Sequence, residues 1–411
     1  MKIAIIGAGP AGIFTSFFLR EFSGEVVLFE QNADIGEKLK LTGGGKMNIT
    51  NSDFSCEKFS SENERLLKNL FKSPWVRNRE NLFDELGMKY KWEGSRAILA
   101  GESAMDEVER LREVLRKQKN LNIFTGCKVV DAGRMDDGRM DEERIGEKFF
   151  VKFVMGGEEK NEVFDFLIMA SGGMFRIKDM GSAEKLYKIP LSFGHSITKL
   201  RPSLCPILLP KNPLKDLAGI SFKGCVFCPE NKLKVCGDIL ITHSGISGPA
   251  VLDFSSMISG GKFELCFIEN LNEENFQKEF WKNRDGKILV KNFLHKFLPN
   301  RICDFLMLKN GIANDLKIAD INKEIFKKLS KDLFHYEFID AKLSEYQFAW
   351  TTKGGVPLNE INVATFESRL CKNLYFVGEI LDANGLCGGY NISFAAISGK
   401  IASEGILKNL K

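Results

Sequence analysis

The 411-residue chain has no apolar run approaching the roughly 18 residues that a membrane helix requires. Its first apolar stretch, Ile3 to Ile6, runs straight into glycines, so the longer apolar core and cleavage site of a secretory signal are missing. Neither sign of charge is in excess. Lys plus Arg number 58 against 54 Asp plus Glu, a formal balance of +4, which gives no electrostatic reason to expect nucleic acid or an anionic membrane as partner. The ten cysteines are scattered, and the close pair Cys225 and Cys228 has no second tight pair to complete a metal site. The expectation is a cytoplasmic protein with no metal, whose cysteines are reduced and packed as small hydrophobes. No stretch stands out as a linker.

What is present is ordinary for a globular chain: 44% hydrophobic and 27% charged residues, with a length that suggests two or three domains. The opening reads strand, turn, helix, strand. Lys2 to Ile6 and Glu25 to Phe29 are β-branched or apolar runs suited to buried parallel strands, with a helix from Ile13 to Glu21 between them. Residues 60–126 read mostly as helix, with Ser103 as N-cap, Asp106 three residues on, and Gly87 as a left-handed helix stop. Gly-Arg-Met-Asp occurs at 133–136 and again at 138–141, in a polar stretch read as a solvated hairpin loop. Asp165 to Ala170 is a third buried strand. Prolines at 202, 206, 210, 213 and 229 then punctuate short apolar runs, the texture of small strands. Residues 272–335 look helical, with phenylalanines as core. Asn373 to Val377 restores the α/β texture, followed by a helix from Ser393 to Leu407. The expected division is 1–190 for the first part of a nucleotide-binding domain, 191–345 for an insertion, and 346–411 for the return.

Three glycine clusters carry the chemistry. Gly7-Ala-Gly9-Pro10-Ala11-Gly12 fits G-x-G-x-x-G, directly after a strand and opening a helix. In that motif the first glycine permits the turn, the second admits a pyrophosphate, and the third lets helix and strand pack. Helix N–H groups face the phosphates, and Pro10 costs little in the first turn. Glu30 closes the second strand, where a carboxylate accepts from ribose hydroxyls and repels a 2′-phosphate, and Gln31 adjoins it. This favours FAD or NAD over NADP. The second cluster, Lys38 to Asn51, has Thr42 and three consecutive glycines, Gly43, Gly44 and Gly45, with Asn48 and Asn51 able to pin the loop. The third runs from Gly378-Glu379 through Asp382 to Gly388-Gly389-Tyr390-Asn391 and opens a helix of small residues. Such a helix end suits the N1–C2=O edge of an isoalloxazine, and Glu379 or Asp382 suits the ribityl hydroxyls. An NAD enzyme has no need of this distant third site, so FAD is the expected cofactor.

These motifs, with Thr242 to Leu252, Thr351-Thr-Lys-Gly-Gly-Val356 and Thr365 to Ser368, make the sequence resemble the YhiN/BaiN-like family of bacterial flavoproteins along essentially its whole length. The resemblance implies an α/β, glutathione-reductase-like Rossmann FAD domain built from both ends of the chain, with an inserted domain of a small β-barrel and helices. It implies FAD contacts at the first glycine loop, Glu30, the 42–51 loop and the 378–391 segment. To these the expected set adds Gln31, Lys38, Val129, Ser171, Gly172 and Gly173. The chain departs from the family at Lys46-Met47 and in the bulky segment from Met174 to Met180, so a family substrate is not carried over.

No second G-x-G-x-x-G follows a strand, so NAD(P)H, if it reduces the flavin, docks transiently. No Cys-x-x-Cys adjoins the fingerprint, which argues against a dithiol relay. His243 and Ser244 read either as catalytic or as part of a structural turn. Tyr390 and Asp382 are candidates to supply the proton when a flavin hydride reduces a C=C bond. The expected function is an FAD-dependent oxidoreductase acting on a small hydrophobic or enone-type molecule. The alternatives are an RNA-modifying flavoenzyme and a non-catalytic electron-transfer or redox-sensing protein.

Overall fold

A computed structural model describes residues 1–101, 103–135, 148–175 and 181–410, with only the backbone course described over 181–186. The second Gly-Arg-Met-Asp copy, with most of the expected hairpin loop, and the 176–180 part of the bulky segment lie outside the described residues. Two compact units form: Met1–Arg201 with Thr351–Lys411, and Pro202–Trp350. The sequence reading put these divisions at 190/191 and 345/346.

The first unit is built on a seven-stranded sheet. Strands β1 (Lys2–Ile6), β2 (Glu25–Phe29) and β4 (Phe166–Met169) lie at its centre, β3 (Asn48–Asn51) belongs to a separate small sheet, and β5 (Thr351–Lys353) lies outside both. β4, β1 and β2 pair in parallel, Ile5 meeting Ile168 on one side and Leu28 on the other. Leu121–Phe124 extends the parallel array beyond β2, and Leu374–Phe376 extends it beyond β4. The strands are apolar almost throughout because both faces are covered. Helix α1 (Pro10–Phe18) covers one face together with α2 (Tyr390–Asn409), a 20-residue helix buried along most of its length. An antiparallel sheet of Cys127–Arg134, Phe149–Met155 and Glu158–Phe164 packs the other side, where Phe29 meets Phe153 and Phe164.

The helical reading of 60–126 holds in part. Ser103 caps Ala104–Arg116 through a complete capping box with Asp106, and Gly87 has φ +70° after Arg79–Glu85. Tyr90–Glu93 and Arg96–Leu99 instead form a hairpin about Gly94 at φ +62°, and Arg96–Leu99 pairs with β3.

The second unit carries a closed six-stranded barrel, in the order Ile207–Leu208, Gly245–Ser247, Leu233–Thr242, Ser221–Cys228, Gly261–Cys266, Tyr336–Leu343. Closure removes the strand edges that short antiparallel strands otherwise expose. Helices Glu273–Lys282, Asn300–Lys309 and Lys323–Phe334 join it around an aromatic cluster of Phe276, Phe280, Phe293 and Phe326. Cys225 and Cys236 form a disulfide, which corrects the expectation of free thiols at those two positions. They are directly opposed in the hairpin register, a relation set by the turn and invisible in the spacing that singled out Cys225 and Cys228.

The α1–α2 contact is fixed by small residues. A Cβ on Gly399 would lie 2.6 Å from Thr15 Oγ1, and Ser403 Oγ donates to the Thr15 carbonyl at 3.3 Å. Gly399→Ala therefore costs about 1–3 kcal/mol in urea denaturation. Because the obstructing atom is a hydroxyl oxygen, adding Thr15→Val changes this cost, and the two substitutions measured together are non-additive.

Candidate functional site

The three glycines of the first cluster divide by what surrounds them. Gly7 has φ +104°, and a Cβ there would lie 2.6 Å from the Ala170 carbonyl oxygen. A Cβ on Gly12 would overlap the Gly7 carbonyl, so these two positions are closed by the protein itself. Gly9 has an ordinary φ of −73° and nothing within 4 Å of where a Cβ would stand. Its bareness serves no packing purpose inside the chain. Pro10 and Ala11 open α1, and the Ala11 methyl abuts Gly378, so the third cluster sits directly behind the first.

Glu30 is 7% exposed at the end of β2. One carboxylate oxygen accepts from the Ala8 N–H at 2.8 Å, the other from the Asn32 N–H at 2.8 Å and the Asn32 side chain at 2.6 Å. The carboxylate thus braces the glycine turn, and of about four lone-pair sites one is left over. Gln31 is exposed beside it. Val129 lies two residues beyond Cys127, whose N–H donates to the Glu30 carbonyl at 2.8 Å.

Lys38 and Glu379, 341 positions apart, form an ion pair. The other Glu379 oxygen accepts from the Thr352 N–H at 2.9 Å, and the same oxygen would lie 2.5 Å from a Cβ on Gly173. Thr352 Oγ1 accepts from the Met174 N–H at 2.7 Å. Lys38, Gly173, Glu379 and β5 therefore meet at one place. Gly172 stands at φ +72° with nothing within 4 Å of its missing Cβ, and the Ser171 hydroxyl is buried without a hydrogen-bond partner.

In the second cluster Thr42 donates to the Leu39 carbonyl at 2.8 Å. Gly43, Gly44 and Gly45 all have positive φ, and beyond Gly44 and Gly45 there is open space. Gly43 backs onto Asn48, which begins β3. Asn51 does the pinning, its amide donating to the Gly388 carbonyl at 3.1 Å. Gly389, at φ +98°, presses its α-carbon against the Thr50 backbone, where a Cβ would come within 2.6 Å. Arg79, almost wholly buried, holds β3 from behind by donating to Thr50 Oγ1 at 3.0 Å and the Asn51 carbonyl at 2.7 Å. Met47, one of the departures from the family pattern, is fully buried at φ +46°.

Two expected ligand residues are engaged in building the loop. The Asn391 side chain accepts from the Gly385 N–H and donates to the Gly385 carbonyl, at 2.9 and 2.8 Å, closing the 385–391 turn. The Tyr390 ring stacks on Phe54, 5.9 Å between centroids, and meets Phe59 edge-on. Asp382 is 2% exposed and accepts from the Glu62 N–H at 2.8 Å and Ser61 Oγ at 3.2 Å, and burial raises its pKa.

The residues not foreseen individually are Arg201 and the β5 side chains. The Thr351 hydroxyl is buried and unpartnered, and Lys353, two residues on, shares its face of the strand. Burial, with Arg201 adding to it and Asp382 opposing, pushes the Lys353 ammonium down to about 8. The available signal was Gly354-Gly355 after β5: a Cβ on Gly355 would overlap the Ile380 carbonyl, and Val356 bridges in parallel to Leu381. His243 and Ser244 lie in the second unit, exposed on a turn held by Asn212. Among the described residues no group of three or more His, Cys, Asp or Glu side chains has metal-binding geometry.

A parallel sheet ending in a glycine turn, with bare glycines and buried, unpartnered hydroxyls around it, defines a Rossmann-type dinucleotide-binding oxidoreductase of the flavoprotein class. The chain belongs to the HI0933-like Rossmann-domain family, whose model matches residues 1–405, and the resemblance read from its motifs is thereby confirmed. A ribosomal RNA dihydrouridine synthase of Haemophilus influenzae is 30% identical over 401 residues, covering 95% of this chain and 94% of that one. The corresponding Escherichia coli protein is 28% identical over 95% and 94%. A 3-dehydro-bile acid delta(4,6)-reductase of Clostridium scindens is 26% identical over 98% of each. Among solved structures, a 3-ketosteroid-delta4-(5alpha)-dehydrogenase of Rhodococcus jostii shares the fold, with TM-score 0.53 and 12% identity over 98% of this chain and 96% of that one.

Gly9→Ala leaves the apoprotein's stability in urea unchanged and weakens FAD binding in a fluorescence titration, whereas Gly389→Ala lowers the unfolding free energy by about 1–3 kcal/mol. Lys353 gives a pH signature. Its pKa is depressed on folding, so the unfolded chain holds the proton more tightly and the cost of burying it fades as pH rises from about 8 towards 10.5. Lys353→Met therefore stabilises the apoprotein most below pH 8, and the gain disappears at the alkaline end of a urea series.

Proposed function

We propose that the protein binds FAD between its first and last glycine clusters and reduces a carbon–carbon double bond conjugated to a carbonyl, with NAD(P)H as the reductant. The observation that carries this is the site itself: open space at Gly9, Gly44 and Gly172 and unpartnered hydroxyls at Ser171 and Thr351, next to a half-buried lysine beside a buried acid. The relatives supply the reaction class. Making dihydrouridine saturates the uracil double bond beside a carbonyl, and a delta(4,6)-reductase of a 3-oxo sterol saturates double bonds conjugated to the ketone.

In this reading the glycine turn and the N-terminus of α1 hold the pyrophosphate, and Glu30 keeps that turn in shape. Glu379, set by Lys38 and Thr352, offers its carboxylate to ribityl hydroxyls. Ser171 supplies a further hydroxyl, and the N-terminus of α2 presents N–H groups to the pyrimidine edge of the ring. Bound FAD supplies hydride chemistry. The chain's own contribution is to answer the charge that develops. When hydride reaches the β-carbon of a conjugated carbonyl, negative charge appears on the carbonyl oxygen and the α-carbon needs a proton. Lys353 and Arg201 are the half-buried cations that meet the first need. Lys353, with a pKa of about 8, is a proton donor suited to near-neutral pH and meets the second. Asp382 stays keyed to the 61–62 loop and lends Lys353 a counter-charge. Tyr390, stacked among phenylalanines, serves the loop.

Anaerobic addition of NADH or NADPH to the holoprotein bleaches the flavin absorbance, and a uracil-containing or 4-en-3-one acceptor restores it. A flavin that neither nicotinamide reduces removes the reductant from this reading. Lys353→Met lowers turnover of the acceptor by about 10²–10⁴-fold with FAD content unchanged, and wild-type turnover falls as pH rises through about 8.

A further inference from the structure

One concave surface of the second unit takes no part in that chemistry. Beside the barrel strand Ile207–Leu208, the loop that follows it, the 242–245 turn and Lys342 enclose an open groove of about 740 Å³. Its lining includes Lys211, Lys215 and Lys342 and no carboxylate. All three lysines are exposed, and among the described residues none of their ammonium groups pairs with an acidic side chain. This differs from the lysines elsewhere on the unit that are matched, such as Lys309 with Asp332 and Lys291 with Asp304.

The groove is also rigidly built. The Asn212 amide donates to the carbonyls of Thr242 and His243, both at 3.1 Å, and its oxygen accepts from the Leu214 N–H at 3.0 Å. The Leu209 N–H donates to the Ser244 carbonyl at 2.9 Å. Pro210 and Pro213 fix the backbone between these anchors. A loop tied down this thoroughly, with its cations left unmatched, holds positive charge at set positions on a concave wall. The near-zero charge of the whole chain says nothing against it, because the charge that a polyanion meets is local.

We infer that this groove docks the ribose-phosphate backbone of an RNA strand. The lysines contact phosphates, and the exposed His243 ring and proline edges offer faces to unstacked bases. The inference deepens the proposed reduction by naming RNA as its substrate class, and rests on that reading. Two relatives matched over 94% of their length bear the name ribosomal RNA dihydrouridine synthase, which agrees with such a partner.

The test uses the FAD-loaded full chain and deproteinised bacterial ribosomal RNA, with duplex DNA at equal phosphate concentration as comparator. Three lysine–phosphate contacts give a logarithmic salt slope of about −2, so affinity falls roughly 20-fold between 50 and 200 mM salt. The triple variant Lys211→Gln, Lys215→Gln, Lys342→Gln binds RNA at least tenfold more weakly and loses most of that slope, while the three Lys→Arg replacements keep it. Flavin content and anaerobic bleaching stay at wild-type values in both, which reports that the chain is folded and separates failure of docking from failure of the reductase reading. Wild-type affinity for RNA no greater than for duplex DNA, or a triple Gln variant that binds RNA as wild type does, overturns the inference.

Discussion

Helix α1 lies against α2 with little more than hydrogens and hydroxyls between them, and the nucleotide site depends on that closeness. Gly399 faces Thr15, Gly378 faces Ala11, and the Ser403 hydroxyl reaches the Thr15 carbonyl. One bulkier residue in this seam would move the 378–391 loop away from the glycine turn. The Lys38–Glu379 ion pair and the Asn51–Gly388 hydrogen bond then set the loop laterally, across separations of more than 330 residues. Three segments with little regular structure of their own become a cradle because the helices behind them cannot slip.

The same closeness explains why so many glycines here differ in purpose. At Gly7, Gly12 and Gly389 the protein's own backbone occupies the place of a side chain. At Gly9, Gly44 and Gly172 nothing of the protein does. A sequence shows both kinds as the same letter. Only the surroundings separate a glycine that the protein's own packing requires from one that it leaves open.

That distinction marks what was legible in the sequence. The parallel core was, because Ile3–Ile6 and Val26–Phe29 have the unbroken apolar texture of strands covered on both faces. The capping box at Ser103 and the left-handed stop at Gly87 were also readable, being local chemistry. The 90–99 hairpin was hidden inside an otherwise helical stretch, and the Cys225–Cys236 disulfide depends on strand register. Within the site, polar residues were easy to nominate and harder to assign. Asn391 and Tyr390 turned out to shape the loop, while Thr351 and Lys353 went unremarked singly because a Thr-Thr-Lys run gains meaning only beside Asp382 and Arg201.

The interleaving of distant segments also orders events at the ribosome. The glycine turn is made within the first dozen residues, but Glu379 and the α2 seam emerge only after the whole second unit has been synthesised. At roughly 5–20 residues per second, the nascent turn waits about 20–80 s for its counterpart. Throughout that interval the barrel can close and its helices can pack, while Lys38 and Asn51 wait for Glu379 and the Gly388 carbonyl, so the cradle is completed only once the last segment has been translated.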